Sequence, residues 1–145
     1  MKLRLLGKFA RPVVTVVLLL SLTSCGTSFS ERDLAACQSA WDSTSKALLS
    51  LPRAAYSETA PDPTFYEVNR HYEDLLSSRT EIIALSEKVD NDELKVALLD
   101  FALGTGAMAM EFLDNPRGRG TPGITQFNDA FQSVLDLCKN AGREN

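Results

Sequence analysis

The sequence predicts an all-α chain folded as an up-down-up-down four-helix bundle, with one disulfide joining helices one and four. Three observations carry that expectation. Apolar residues recur at three- and four-residue steps in four segments, and no strand-like alternation competes with them. Beyond the N-terminal region, Pro52, Pro61, Pro63, Pro116 and Pro122 all fit between those segments or in a first turn, where a missing N–H is tolerated. The cysteines Cys37 and Cys138 fall near the ends of the first and last segments that an antiparallel bundle brings together.

Helix one is expected from Glu31 to Leu51. Ser30 is its cap and Asp33 places an acid in the first turn. Leu34, Cys37, Trp41, Leu48 and Leu51 form its inward stripe, with Thr44 in the gap. Pro52 ends it, and the stretch from Arg53 to Asp62 reads as a loop. Helix two is expected to open with Asp62 as cap and Pro63 at its first position, and to run to Val89. Its apolar set is Phe65, Val68, Tyr72, Leu75, Leu76, Ile82, Ile83 and Leu85.

Helix three starts at Asp90 or Asn91 and ends near Asn115-Pro116. Leu94, Leu98, Phe101, Met108, Phe112 and Leu113 are expected to point inward. Helix four is opened by Thr121 and Pro122, carries the stripe Ile124, Phe127, Phe131, Val134 and Cys138, and meets a stop signal at Gly142. Helices of about 20 to 27 residues are roughly 30 to 40 Å long, a fit for such a bundle.

Met1 to Arg11 is basic, with Lys2, Arg4, Lys8 and Arg11 and no acid. The run Val13 to Leu22 follows, mostly apolar and ten residues long. As a helix it spans about 15 Å, half a hydrocarbon core, which is the layout of an export signal rather than of a membrane span. It ends in Leu22-Thr23-Ser24-Cys25, which resembles the lipobox of bacterial lipoproteins, with Ser24 where Gly or Ala is commoner. The resemblance covers the export segment alone. It implies residues 1–24 as a signal peptide and residues 25–30 as a lipidated tether, and the helical periodicity makes residues 31–145 the helical bundle domain. It also implies a diacylglycerol on the Cys25 thiol and an exported protein. The lipid would hold it to the outer face of the cell membrane, or to the outer membrane if the source has one. Two or more acyl chains make such anchoring firm. The competing reading is an ordinary signal peptide with a cysteine after its cut site.

With Cys25 assigned to lipid, Cys37 and Cys138 remain. In an oxidising compartment an even pair is expected to bridge, as against two buried thiols acting as small hydrophobes. A loop of about 100 residues closed in this way is worth roughly 4 to 5 kcal/mol in the chain-entropy model.

The chain has 145 residues, with 15 Lys and Arg against 19 Asp and Glu, and one His. Because the first 24 residues hold four of the bases and no acid, the remaining 121 carry 11 bases and 19 acids, a net charge of −8. Nucleic acid is excluded as a partner by that balance, since phosphate contacts need clustered Lys and Arg. One His and no cysteine pair at ligand spacing argue against a metal centre, and no cofactor is expected. The common hydrolase elbow, phosphate loop and zinc-protease motifs are missing from the sequence, so no enzyme is expected.

Candidate sites follow from position. On helix three, Asp100, Gly104, Ala107 and Glu111 form a narrow polar edge with a bare centre at Gly104 and Ala107. This is either a place where a neighbouring helix packs close, or a protein-docking or dimer surface, or the wall of an apolar ligand cavity. His71, with Glu67 and Asp74 near it in sequence, reads as a surface residue. In an up-down bundle the loops after helices one and three share the end far from the tether. Arg53, Tyr56, Arg117 and Arg119 at that tip are the expected partner surface. The function expected is a membrane-anchored envelope lipoprotein acting as a non-enzymatic binding or structural module. Its partners would be the membrane, through lipid on Cys25, and an envelope or extracellular protein, with a homodimer also open. The alternative is a carrier of a lipid or other apolar ligand between the helices.

Overall fold

In the computed structural model, residues 29–52, 55, 57–117 and 121–141 are described. They form α1 (Glu31–Leu49), α2 (Phe65–Ser86), α3 (Asp92–Asp114) and α4 (Pro122–Ala141), with no strand among the described residues. Each helix packs on its neighbours in sequence, and α1 closes the ring against α4. The contacts of α3 with α2 and α4 are the most extensive, and α1 is held more loosely, above all against α4. The bundle topology read from the sequence is therefore the one observed.

Side-chain chemistry sets the helix starts. The Ser30 hydroxyl accepts from Asp33 N at 3.2 Å while Ser30 N donates to Asp33 Oδ2 at 2.8 Å, a reciprocal capping box. Asp33 does more than cap. Its Oδ1 accepts from Asp90 N at 2.8 Å and Asn91 N at 3.2 Å, which ties the start of α1 to the α2–α3 connection. Burial pushes the Asp33 carboxyl up. Hydrogen bonds from the backbone of Ser30 and Asn91, the Ser30 hydroxyl and the Asp90 backbone hold it below the ordinary range instead.

The start of α2 differs from the expectation of Asp62 and Pro63. Thr64 is the cap, because Thr64-Phe65-Tyr66-Glu67 forms its own capping box: Glu67 N donates to Thr64 Oγ1, and Thr64 N donates to Glu67 Oε2 at 2.8 Å. Asp62 is left to pair with Arg117. The helix also ends at Ser86 rather than Val89. Asn91 caps α3 by accepting from Leu94 N at 2.9 Å, and α4 starts at Pro122 as expected.

The disulfide joins Cys37 to Cys138 across 101 residues, with the Cα atoms 5.9 Å apart. The core is centred on Phe101, whose ring lies 5.3 Å from that of Phe127 and 5.2 Å from that of Phe131. Leu75, Ile82, Leu94 and Leu98 fill the space around it. The expected inward stripe of α1 is corrected. Its buried face is small and partly polar: Ala36, Ala40, Ser43, Thr44 and Ala47, with Ser43 Oγ donating to Ser78 Oγ of α2 at 3.0 Å. Leu34, Cys37 and Leu48 are only half-buried, and Trp41 is exposed and stacks on Phe131 of α4. Small residues allow α1 to lie close to α2, which turns its larger residues towards the seam with α4. On α2, Phe65 is exposed rather than inward.

Candidate functional site

The surface feature that stands out is the outer side of α3. This helix has two apolar stripes. The inner one, Leu94, Leu98, Phe101, Met108 and Phe112, is buried as expected. The outer one is Val96, Leu99, Leu103, Met110 and Leu113, each between 37% and 58% exposed. Leu113, expected inside, belongs to this second stripe. With Gly106, the outer positions repeat at steps of three, four, three, four and three, the a/d spacing of a coiled-coil seam. The stripe is about 25 Å long at 1.5 Å per residue. α3 is long and apolar enough to cross a membrane, but half of its apolar window is buried in the bundle, as in the core helix of a folded domain.

The two flanks of this stripe differ in charge. On the α4 side, Glu93 and Asp100 of α3 face Asp129 and Asp136 of α4 across an open trough of about 1200 Å³. On the α2 side, the Arg79 side chain lies over Gly106, its Cδ 3.1 Å from where a Cβ would stand. Exposed Lys95 lies on that same flank by its helical position. Tyr72 of α2 reaches the stripe, with its hydroxyl 3.9 Å from Met110 Sδ.

The polar edge of α3 read from the sequence has a different occupant. Gly104 is buried, and a Cβ there would stand 2.9 Å from Phe127 Cα and 3.1 Å from Gln126 O. Ala107 backbone atoms lie 2.9 Å from a Cβ built on Gly123, and Glu111 Oε2 accepts from Gly123 N at 2.7 Å. Gly104, Ala107 and Glu111 are thus where α4 of the same chain crosses α3, and Glu111 satisfies a backbone donor in the first turn of α4. They form an internal contact, not a docking surface.

The expected position of His71 is corrected too. It is fully buried, its ring edge-on to Phe112 of α3 with centroids 4.6 Å apart. Desolvation lowers its pKa from 6.5 to about 4, against the opposing pull of Asp74 and the Ala47 backbone. Nδ1 is 2.8 Å from Ser50 Oγ. That hydroxyl donates its one hydrogen to Ala47 O at 2.8 Å, so Nδ1–H is the donor to Oγ. A serine nucleophile needs the reverse, with the imidazole taking the hydroxyl proton. His71 therefore pins the end of α1 to α2 and α3.

At the distal end the two loops do meet. Arg117 Nε donates to Asp62 Oδ1 at 2.8 Å, and Arg117 Nη2 donates to Ala60 O at 3.1 Å. The guanidinium expected to meet a partner is engaged within the chain. Beside it, Leu48, Leu51, Met108, Phe112, Ile124 and Phe127 line an apolar cavity of about 270 Å³ where α1 and α4 part. Cys25 with its expected lipid, and Arg53, Tyr56, Arg119 and Gly142, lie outside the described residues. Among the described residues no cluster of His, Cys, Asp and Glu is arranged to hold a metal. No protein-family model, curated protein or solved structure matches the chain.

The sequence reasoning missed the outer stripe of α3. Its signal was present as the three-and-four spacing of Val96, Leu99, Leu103, Met110 and Leu113, interleaved with the core stripe on one wide apolar arc.

Proposed function

We propose that the protein is a lipid-anchored cell-envelope lipoprotein whose helical domain is a non-enzymatic binding module. The observation that supports the binding role is the outer face of α3. Five large apolar side chains there stand in one row on a rigid helix, framed by charge. Scattered exposed apolar residues are ordinary on any protein, but a contiguous row with polar margins marks an interaction surface. The anchor rests on the lipobox-like Leu22-Thr23-Ser24-Cys25 after a basic and apolar leader. The cysteine arithmetic agrees, since a bridged Cys37 and Cys138 leave Cys25 as the unpaired thiol.

Two measurements test the reading. Fractionation of cells making the wild type and Cys25→Ser should find the wild type with the membranes and the variant unprocessed or released. A variant still processed and membrane-held would remove the anchor. A photo-crosslinker at Leu103 in the anchored protein should give a discrete adduct that the same probe at exposed, charged Glu81 does not. Identical patterns from both sites would remove the docking face.

A second reading, a carrier of an apolar ligand, is favoured by the cavity beside Phe112 and Phe127. It ranks second because 270 Å³ lies below the usual range of about 300 to 1,000 Å³ for ligand pockets. Native mass spectrometry that finds a stoichiometric co-purified lipid would reverse that ranking.

A further inference from the structure

We propose that the outer face of α3 is covered by the same face of a second copy, packed parallel to it, so that the anchored protein is a two-fold dimer. This rests on the binding-module reading and names its partner. The first argument is spacing. Val96, Leu103 and Met110 occupy a positions and Leu99, Gly106 and Leu113 occupy d positions of an unbroken repeat. A second copy of the stripe matches it in length, and in a parallel pair each a layer meets a and each d layer meets d. Gly106 carries no side chain of its own near the middle of the row, and Arg79 of α2 fills that space, its Cδ 3.1 Å and its Nε 3.2 Å from where a Cβ would stand.

Charge then selects the orientation. In this repeat Lys95 is a g position and Asp100 the e position five residues later. That is the pairing made between strands of a parallel seam, so a parallel dimer forms two symmetry-related Lys95–Asp100 pairs. It also lays the flank carrying Lys95 and Arg79 on the partner's acidic trough at Asp129. An antiparallel pair would set trough against trough, acid facing acid. The same asymmetry disfavours an anionic bilayer, because the trough carboxylates border the apolar row.

The anchor imposes the same direction. With α1 starting just after the tether, a two-fold axis along the bundle keeps both tethers at one membrane, whereas an antiparallel pair would turn one away. A standard interface buries about 800 Å² on each partner. One exposed helix row with its margins on α2 and α4 suits a reversible dimer rather than a permanent one. Tethering two copies in one membrane raises their effective concentration well above their value in solution.

Cysteine cross-linking of the full chain in isolated membranes tests orientation. Val96→Cys should oxidise to a covalent homodimer, and so should Leu113→Cys made alone. If cross-links form only when the two variants are mixed, the pair is antiparallel and the proposal is overturned. Sedimentation of the purified full-length chain in detergent tests the chemistry. Leu103→Asp should weaken association at least tenfold. Lys95→Glu should weaken it severalfold, and Lys95→Glu with Asp100→Lys should restore it to near the wild-type value. Failure of that rescue overturns the charge pairing. If Leu103 instead cross-links to a different protein, or a fluorophore at Leu103→Cys is quenched by lipid-chain quenchers in vesicles, the second copy is not the occupant. The first of those results leaves the binding-module reading standing. No adduct of any kind at Leu103 removes both.

Discussion

The buried His71 makes the bundle lose stability in mildly acidic solution, and the size of the effect follows from its surroundings. In the unfolded chain its pKa is the ordinary 6.5, and in the fold burial lowers it to about 4. Between those values the unfolded state binds a proton that the folded state refuses. The stability tied to neutral His71 is therefore complete above pH 6.5 and drains away as pH falls towards 4. At 1.36 kcal/mol per unit, the whole window is worth about 3 kcal/mol, and the step from pH 7 to pH 5 about 2 kcal/mol. The step from pH 7 to pH 5 lies above the range in which the other shifted groups act. Asp33 and Glu67 also have lowered pKa values, but they release their contribution only below their ordinary 3.8 and 4.5. The assay is urea unfolding at pH 7 and pH 5 with the disulfide intact, for the wild type and for His71→Leu. The wild type should lose about 2 kcal/mol and the variant almost none over the same step. Because the chain has a single histidine, the ring-proton NMR titration has one resonance pair to follow. A midpoint near 6.5, or an equal loss in His71→Leu, refutes the reasoning.

Other perturbations have equally definite outcomes. Reducing the Cys37–Cys138 bridge, which spans 101 residues, should lower stability by about 4 to 5 kcal/mol, read from denaturation with and without reductant. A loss under 1 kcal/mol would mean that the reduced, unfolded chain stays compact. The two helical glycines of α3 should respond in opposite ways. Gly104→Ala drives a Cβ against the backbone of Phe127 and Gln126 and should cost about 1 to 3 kcal/mol. Gly106→Ala meets the flexible side chain of Arg79, which can swing aside, so up to about 1 kcal/mol of helix propensity can be recovered. Thermal melts of the two variants that shift together would contradict the close α3–α4 approach.

The helices were legible because their cues are local. Ser30 with Asp33, and Pro122 at the head of α4, announce starts that depend on neighbours within one turn. At α2 two local cues compete, Pro63 and the Thr64–Glu67 capping box, and the box sets the start because it satisfies two backbone donors. The disulfide was legible through topology: once the chain runs up and down, Cys37 and Cys138 share an end. The buried face of α1 was not legible. Alanine and serine carry little hydrophobic signal, and only the closeness of α2 makes Ala36, Ala40, Ser43 and Ala47 the inner row. The polar edge of α3 was visible as a pattern, but which helix filled it was not.

By itself, the sequence determined that this chain is helical, that it has four helices in order, and that two of its cysteines would meet. Those properties depend on residues within a turn of each other, on composition, or on chain direction. Tertiary structure decided which of two interleaved apolar stripes on α3 is core and which is surface. It also decided that Gly104 meets α4 and that His71 is sealed against Phe112. Periodicity says that residues share a face of a helix. Only packing says what that face touches, because the same row of leucines satisfies a bundle core or a second molecule equally well.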